Sequence, residues 1–178
     1  MAEKEEKNIR IVKAQEKDIA LVVSLRKLLF QEMGVPEESF IENVYDVIET
    51  YYAEELSGDN IAHYIAYDGD KPVAVAGALI KTDFPYYLFN PGYYGWIIDV
   101  YTVTEYRGRG LASELIDKAH QWLREKGVTE SKLIASGSKA RKLYDRLGYR
   151  ATWEMSYNLS GLPTYNEYID QNGDGEGI

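Results

Sequence analysis

Apolar and polar positions change period several times along the chain, and each change marks an element. Residues 8–13 (NIRIVK) alternate and predict a first strand. Behind Asp18, a residue suited to cap a helix, Ile19, Val22, Leu25, Leu28 and Leu29 recur at helical spacing as far as Met33, where Gly34 and Pro36 stop the run. Residues 37–56 predict a second helix with Phe40, Ile41, Val44 and Ile48 on one face, broken by Ser57-Gly58-Asp59. Residues 61–67 and 73–82 flank Asp68-Gly69-Asp70, the pattern of a tight hairpin. An aromatic loop over 84–96 (FPYYLFNPGYYGW) leads into a buried-looking strand over 96–103. A long amphipathic helix follows over 108–126, with Leu111, Leu115, Ala119, Trp122 and Leu123 inward and Gly127 at its end. A short strand over 132–135, a short helix over 139–147 and a last strand over 149–159 complete the pattern.

That order is β, two helices, three β, a long α, β, α, β. It defines a mixed α/β (α+β) domain whose strands before the long helix are antiparallel. No internal repeat and no Pro- or Ser-rich linker divides it, so residues 1–165 are expected to form one domain. The polar, Gly-rich stretch 166–178 is expected to be a disordered tail.

Composition then removes whole classes of function. Among 178 residues, 20 Lys and Arg face 29 Asp and Glu, a formal charge of −9. Nucleic-acid surfaces need clustered cations, so none is expected here. No apolar run approaches the ~20 residues of a membrane span, and the charged start MAEKEEK lacks the apolar core of a signal peptide, which together suggest a cytoplasmic protein. The absence of Cys excludes disulfides, thiolate metal sites and a Cys nucleophile, and the two His, His63 and His120, lack neighbouring ligands and are read as structural. No metal is expected.

The chemistry concentrates in Tyr106-Arg107-Gly108-Arg109-Gly110-Leu111-Ala112-Ser113, which leaves a strand and opens the long helix. Such a turn aims unpaired backbone N–H groups and the positive end of the helix dipole at whatever lies above it, which suits a phosphate. A dinucleotide fingerprint would need a third Gly where Ser113 stands and an acid at the end of the next strand, where Ala135-Ser136 stand. A P-loop needs Gly-Lys-Ser/Thr, which is absent. A diphosphate on a different carrier remains.

Arg107-x-x-Gly110-x-Ala112 matches the R/Q-x-x-G-x-G/A motif, and Leu143-Tyr144-Asp145-Arg146-Leu147-Gly148-Tyr149 is similar to the L-Y-x-x-L-G-F block, of the GNAT superfamily of acyl-CoA-dependent N-acetyltransferases. The chain resembles that family over 96–159, and its element order fits the family fold, a central mixed, mostly antiparallel sheet flanked by helices. The resemblance implies acetyl-CoA as cosubstrate, its diphosphate on the turn from Arg107 through Gly108, Arg109, Gly110, Leu111 and Ala112 to Ser113. It implies a pantetheine arm along Val100, Tyr101 and Thr102, a bulge there that splays this strand from the next, and an N–H near Val100 facing the thioester carbonyl, where it would stabilise the oxyanion of a tetrahedral intermediate.

Tyr144 stands where many members keep a general acid for the departing thiolate. A phenol of pKa ~10 beside a thiolate of ~8.5 can donate a hydrogen bond or a proton. Members often carry Asn where this chain has Gly137; Ser136 and Ser138 flank it as substitutes. Lys139, Arg141 and Lys142 suit the adenosine phosphate end.

Asp99 is the one acid in the apolar strand and is the candidate base or anchor for the acceptor, although the usual base of the polyamine acetyltransferases corresponds to Ile98. The aromatic loop, with the acidic net charge, points to a small cationic amine as acceptor, through cation–π contact; a lid or a homodimer surface is the other use of such a loop. Glu32 could face the same pocket. The expected reaction is direct attack of a primary amine on acetyl-CoA. The alternative is an acyl-CoA-binding sensor that has lost turnover.

Overall fold

The computed structural model describes residues 8–37, 40–85, 92–155, 157 and 159. Five strands, β1 (Ile9–Lys13), β2 (Ile61–Asp68), β3 (Lys71–Thr82), β4 (Tyr93–Thr102) and β5 (Ser131–Lys132), form one sheet in sequence order. Neighbours are antiparallel from β1 to β4, and β5 joins β4 in parallel. The helices are α1 (Ile19–Glu32), α2 (Val44–Ser57), α3 (Leu111–Glu125) and α4 (Ser138–Arg146). This is the mixed, mostly antiparallel sheet with flanking helices that the sequence pattern predicts. Among the described residues no helix is long and apolar enough to cross a membrane.

The two faces of the sheet are built differently. On one face Ala62, Ala66, Ala74, Ala76 and Ala78 present a smooth floor to Leu115, Ile116, Ala119 and Leu123 of α3. Small side chains on the strands let the helix lie close, and each fully buried Leu or Ile on it contributes about 1.5–3 kcal/mol. The other face carries the larger Ile61, Ile65, Val75 and Leu79, which pack under Val22, Val23 and Leu25 of α1 and Tyr52 of α2. Strand β3, buried on both faces over most of its length, is the centre of the molecule.

Gly95 shows how tightly α3 is seated. A Cβ there would lie 2.3 Å from Leu123 Cδ1. Gly95→Ala is therefore expected to lower stability by about 1–3 kcal/mol through overpacking, read as a drop in thermal midpoint. An unchanged midpoint would mean that Leu123 repacks freely.

One irregularity positions the site. Gly77 pairs with Ile98 and Val75 with Tyr101, so the single residue Ala76 of β3 opposes both Asp99 and Val100 of β4. This is a β-bulge, and Asp99 takes the left-handed region at φ +56.

Several elements differ from the sequence reading. α2 begins at Val44 rather than near residue 37, because Asn43 adopts φ +57 and cannot continue a right-handed helix. Phe40 lies outside that helix with its ring against Phe30, and Ile41 is exposed. The hairpin turns at Gly69-Asp70, closed by Asp68 and Lys71, with the positive φ at Gly69 expected at the first central position of a two-residue turn.

β4 starts at Tyr93, so Tyr93 and Tyr94 belong to the strand and not to the loop. β5 spans two residues, not four. The last strand predicted over 149–159 is not formed by the described residues of that stretch, and Trp153 and Met155 are almost fully exposed. Alternation makes a segment fit to be a strand, but a strand also needs a ladder to join. Here an ion pair from Lys132 to Glu154 and a 2.9 Å hydrogen bond between Ser131 Oγ and Tyr149 Oη link this stretch to β5. Residues 86–91 and the tail 166–178 lie outside the described residues.

Candidate active site

The parallel pair that closes the sheet is short. Gly95 faces Ser131 and Trp96 faces Lys132, and beyond them β4 and the chain after β5 part company. The cleft so opened has a volume of about 250 Å³. Ile97 and Val100 line one wall, Ile134 and Ser136 the other, and Phe30 of α1 and Met33 just past its end close it from the side. Tyr144 reaches the same cleft from α4, buried and edge-on to Tyr149 at 5.7 Å between ring centres. Gly137, at φ +88, precedes α4, and of the two flanking serines it is Ser136 that lines the cleft.

At the far end, a cavity of about 520 Å³ opens over the N-terminus of α3. Gly108 and Gly110 take φ +73 and +84, a region that L side chains enter at a cost, and a Cβ on either would meet nothing within 4 Å. The helix ladder starts with Glu114 N–H on the Gly110 carbonyl, so the N–H groups of Leu111, Ala112 and Ser113 precede it and have no intrahelical acceptor. Lys139, Lys142 and Arg146 of α4 add cations to the same cavity, whereas Arg141 lines a different groove outside β5. The basic cluster facing the turn therefore includes Arg146 in place of Arg141.

Thr102 lines this cavity too, and its buried Oγ1 has no hydrogen-bond partner. An open cradle of N–H donors, three basic side chains and an orphaned hydroxyl fit a diphosphate-bearing group.

The two arginine side chains of the turn are engaged within the chain. Arg109 folds back to donate to the Glu105 carbonyl at 2.6 Å and lies over the Tyr106 ring. Arg107 donates through Nε to the Thr102 carbonyl at 2.9 Å and pairs with Glu32, which fastens the end of α1 to the exit of β4. Tyr101 turns to the opposite face of the sheet from Val100, towards α1.

Asp99 lies where the cleft meets a third cavity, of about 280 Å³, between α1, α2 and the strands. Its carboxylate is buried against two partners. Oδ1 pairs with the Arg26 guanidinium and Oδ2 lies 2.7 Å from His63 Nε2. Burial alone would raise the carboxyl, but the charge of Arg26 and the bond to His63 outweigh it and hold it below the usual carboxylate value. The His63 ring lies on Gly77, where a Cβ would stand 2.4 Å from its Cδ2 and Nε2.

Sequence reading singled out Asp99 but missed Arg26 and Gly77 and set His63 aside. The three come from α1, β2 and β3, distant in sequence; the traces they leave are a charge within the apolar stripe of α1 and a glycine facing a histidine across two strands. His120 differs from His63: it lies 2.6 Å from Tyr149 Oη and 3.1 Å from Ser131 Oγ, and burial holds it below its ordinary value.

The aromatic faces are also engaged within the chain. Lys81 Nζ sits 4.6 Å over the Trp96 ring and Lys132 Nζ 4.6 Å over Tyr94.

A sheet split between its fourth and fifth strands, with a glycine turn on a helix N-terminus beside the split, defines an acyl-carrier-dependent transferase fold. The model of the acetyltransferase (GNAT) family matches residues 24–149, and the chain belongs to that family. In structure it is similar to a predicted acetyltransferase with acetyl-CoA from Clostridium acetobutylicum, at 26% identity and a TM-score of 0.78 over 85% of this chain and 96% of that one. A GCN5-related N-acetyltransferase from Ralstonia eutropha shares the fold at 22% identity, with a TM-score of 0.78 over 86% of this chain and 100% of that one. In sequence, the N-alpha-acetyltransferase MAK3 of Arabidopsis thaliana is 39% identical over 74 residues, 40% of this chain and 39% of that protein. The match thus spans about two fifths of that relative.

Proposed function

We propose that this acetyltransferase moves the acetyl group of acetyl-CoA to a primary amine by direct attack. The observation that carries the reading is the placing of three cavities. The 520 Å³ cavity over the α3 N-terminus and the 250 Å³ cleft are lined by neighbouring residues of the same elements, Thr102 and Val100 of β4 and Leu143 and Tyr144 of α4, and the cleft shares Arg26 and Asp99 with the 280 Å³ cavity. A diphosphate on the N–H groups of Gly108 to Ser113, with Lys139, Lys142 and Arg146 beside it, would direct the acyl arm along Val100, Tyr101 and Thr102 into the cleft. The acetyl end would then lie between Tyr144 and Asp99, and the amine would enter from the 280 Å³ side.

Each group has a task suited to its chemistry. The β4 backbone near Val100, freed from pairing by the split, offers an N–H to the carbonyl oxygen as negative charge develops on it. Tyr144 supplies a hydroxyl to the departing sulfur. Asp99, ionised by its partners, fixes the polar end of the amine cavity. When bound, acetyl-CoA supplies the activated acetyl group; the chain's residues hold it, orient it and handle protons.

The test is thiol release. With acetyl-CoA and a panel of primary amines, free CoA should form at a rate that depends on amine concentration and saturates. Release equal with and without every amine would overturn the reading.

A further inference from the structure

The 280 Å³ cavity is lined by an unusual set of polar atoms. Five buried side-chain N or O atoms among the described residues have no hydrogen-bond partner, and three of them, His63 Nδ1, Tyr52 Oη and Arg26 Nε, belong to residues lining this cavity. Buried polar atoms are nearly always paired, so three orphans around one space mark where a polar ligand completes the set. His63 and Tyr52 are only 1% and 3% exposed, with their rings edge-to-face at 4.8 Å between centres.

The charge lining the cavity limits what can enter. Its single described acid is Asp99, and both oxygens of that carboxylate are already taken by Arg26 and His63. The remaining charged group is cationic, Lys81, stacked on Trp96. A second or third ammonium would find no free carboxylate and would meet Lys81. The rest of the lining is apolar or aromatic: Val22, Val23, Ile48, Ile61, Leu79 and Ile98. A volume of 280 Å³ lies just below the ~300 Å³ at which sites for drug-sized molecules begin, and suits one side chain rather than several sugar rings.

Resting on the transfer reading above, we propose that this cavity takes a primary monoamine on an apolar body, and that His63 Nδ1 receives the proton the amine must lose. An ionised Asp99 can only accept, so His63 Nε2 carries the hydrogen between them, and in the neutral imidazole the lone pair is then on Nδ1. Among the described groups lining the cavity, it is the one nitrogen with a lone pair available as a base. The ammonium gives one proton to Nδ1. The freed pair on nitrogen forms the C–N bond to the acetyl carbon, the C–S bond breaks, the sulfur leaves with a proton from the Tyr144 side, and the second proton shed by the nitrogen as the amide forms restores the one Tyr144 gave. The His63 proton passes to solvent, so the sum is acetyl-CoA and R–NH₃⁺ giving the amide, CoA thiol and H⁺. The titratable or charged groups lining the cavity with His63 are Asp99 from β4, Arg26 from α1, Tyr51 and Tyr52 from α2, and Lys81 from β3.

Two sources could supply such an amine, a small arylalkylamine or the first residue of a peptide, and a panel separates them. Phenylethylamine and a peptide beginning with Leu are compared with spermidine and kanamycin by kcat/KM. One or both of the first pair should exceed both polycations by at least 100-fold. Preference for spermidine or kanamycin would overturn this proposal alone. Turnover with no amine, while calorimetry still shows acetyl-CoA binding, would overturn the transfer reading and this proposal with it.

For His63, His63→Gln should lower kcat about 100-fold or more with unchanged acetyl-CoA affinity. It should also remove the His-dependent limb of the pH profile, leaving a rate that climbs with the fraction of neutral amine. Gly77→Ala keeps the imidazole but pushes its ring from Asp99, and should show the same profile. If both variants keep the wild-type profile and kcat, His63 is not the proton acceptor.

Discussion

Gly110→Asp is expected to abolish measurable acetyl-CoA binding, with at least a 100-fold loss of affinity by calorimetry, while leaving the fold intact. The wild-type residue takes φ +84 at the start of α3, and a Cβ there meets no atom within 4 Å. Substitution therefore causes no clash inside the protein, and the backbone strain is about 1–2 kcal/mol. What changes is the space above. A carboxylate placed there would compete for the N–H groups of Leu111, Ala112 and Ser113 that have no intrahelical acceptor, and would repel a diphosphate held by them. Gly110→Ala separates the two effects: it carries the strain without the charge, and its loss should be much smaller. Unchanged affinity in Gly110→Asp, with circular dichroism like that of the wild type, would remove the turn from the binding surface.

Tyr144→Phe should lower kcat by about 10-fold to 10⁴-fold with little change in acetyl-CoA affinity. The substitution deletes one oxygen and keeps the ring that packs edge-on to Tyr149 at 5.7 Å, so the helix α4 it belongs to should stay in place. The hydroxyl matters only when the sulfur leaves, which is why the loss should fall on kcat. The comparison is made by pre-steady-state kinetics, so that product release does not mask the chemical step. A variant with wild-type single-turnover rates would leave Tyr144 as a packing residue of the cleft wall.

Legibility in the sequence followed the range over which each feature is encoded. The turn from Arg107 to Ser113 is local: its glycines, the preceding strand and the following helix are contiguous, and all were readable. The hairpin and α3 were readable for the same reason. Asp99 stood out as a lone acid in an apolar strand, whereas its bulge was expected only through the family resemblance, because it depends on how β4 meets β3 across Ala76.

The partners of Asp99 were harder still. Arg26 falls at helical spacing from Val22 and Leu29 of the apolar stripe, a charge whose partner no local pattern names, and His63 alternates within β2 like any strand residue. Only the register that lays His63 over Gly77 and points it to Asp99 makes them one cluster. The aromatic residues at and before the start of β4 suggested cation–π capture of the acceptor. In the fold, Lys81 and Lys132 already stand over Trp96 and Tyr94, an arrangement that no count of tyrosines discloses. The alternation over 149–159 is real as a pattern, yet a pattern specifies a face to be covered and not the element that covers it.

Where the acetyl group goes in a single turnover separates direct transfer from every other route. Enzyme in excess over isotopically labelled acetyl-CoA, mixed with a monoamine acceptor and quenched over time, is followed by intact-mass spectrometry of protein and product. Direct transfer predicts label passing to the amine as an amide at the rate at which CoA thiol appears, with the protein mass unchanged throughout. A labelled acetyl-protein that forms first and decays into product, or label that ends as free acetate whatever the amine, would contradict it.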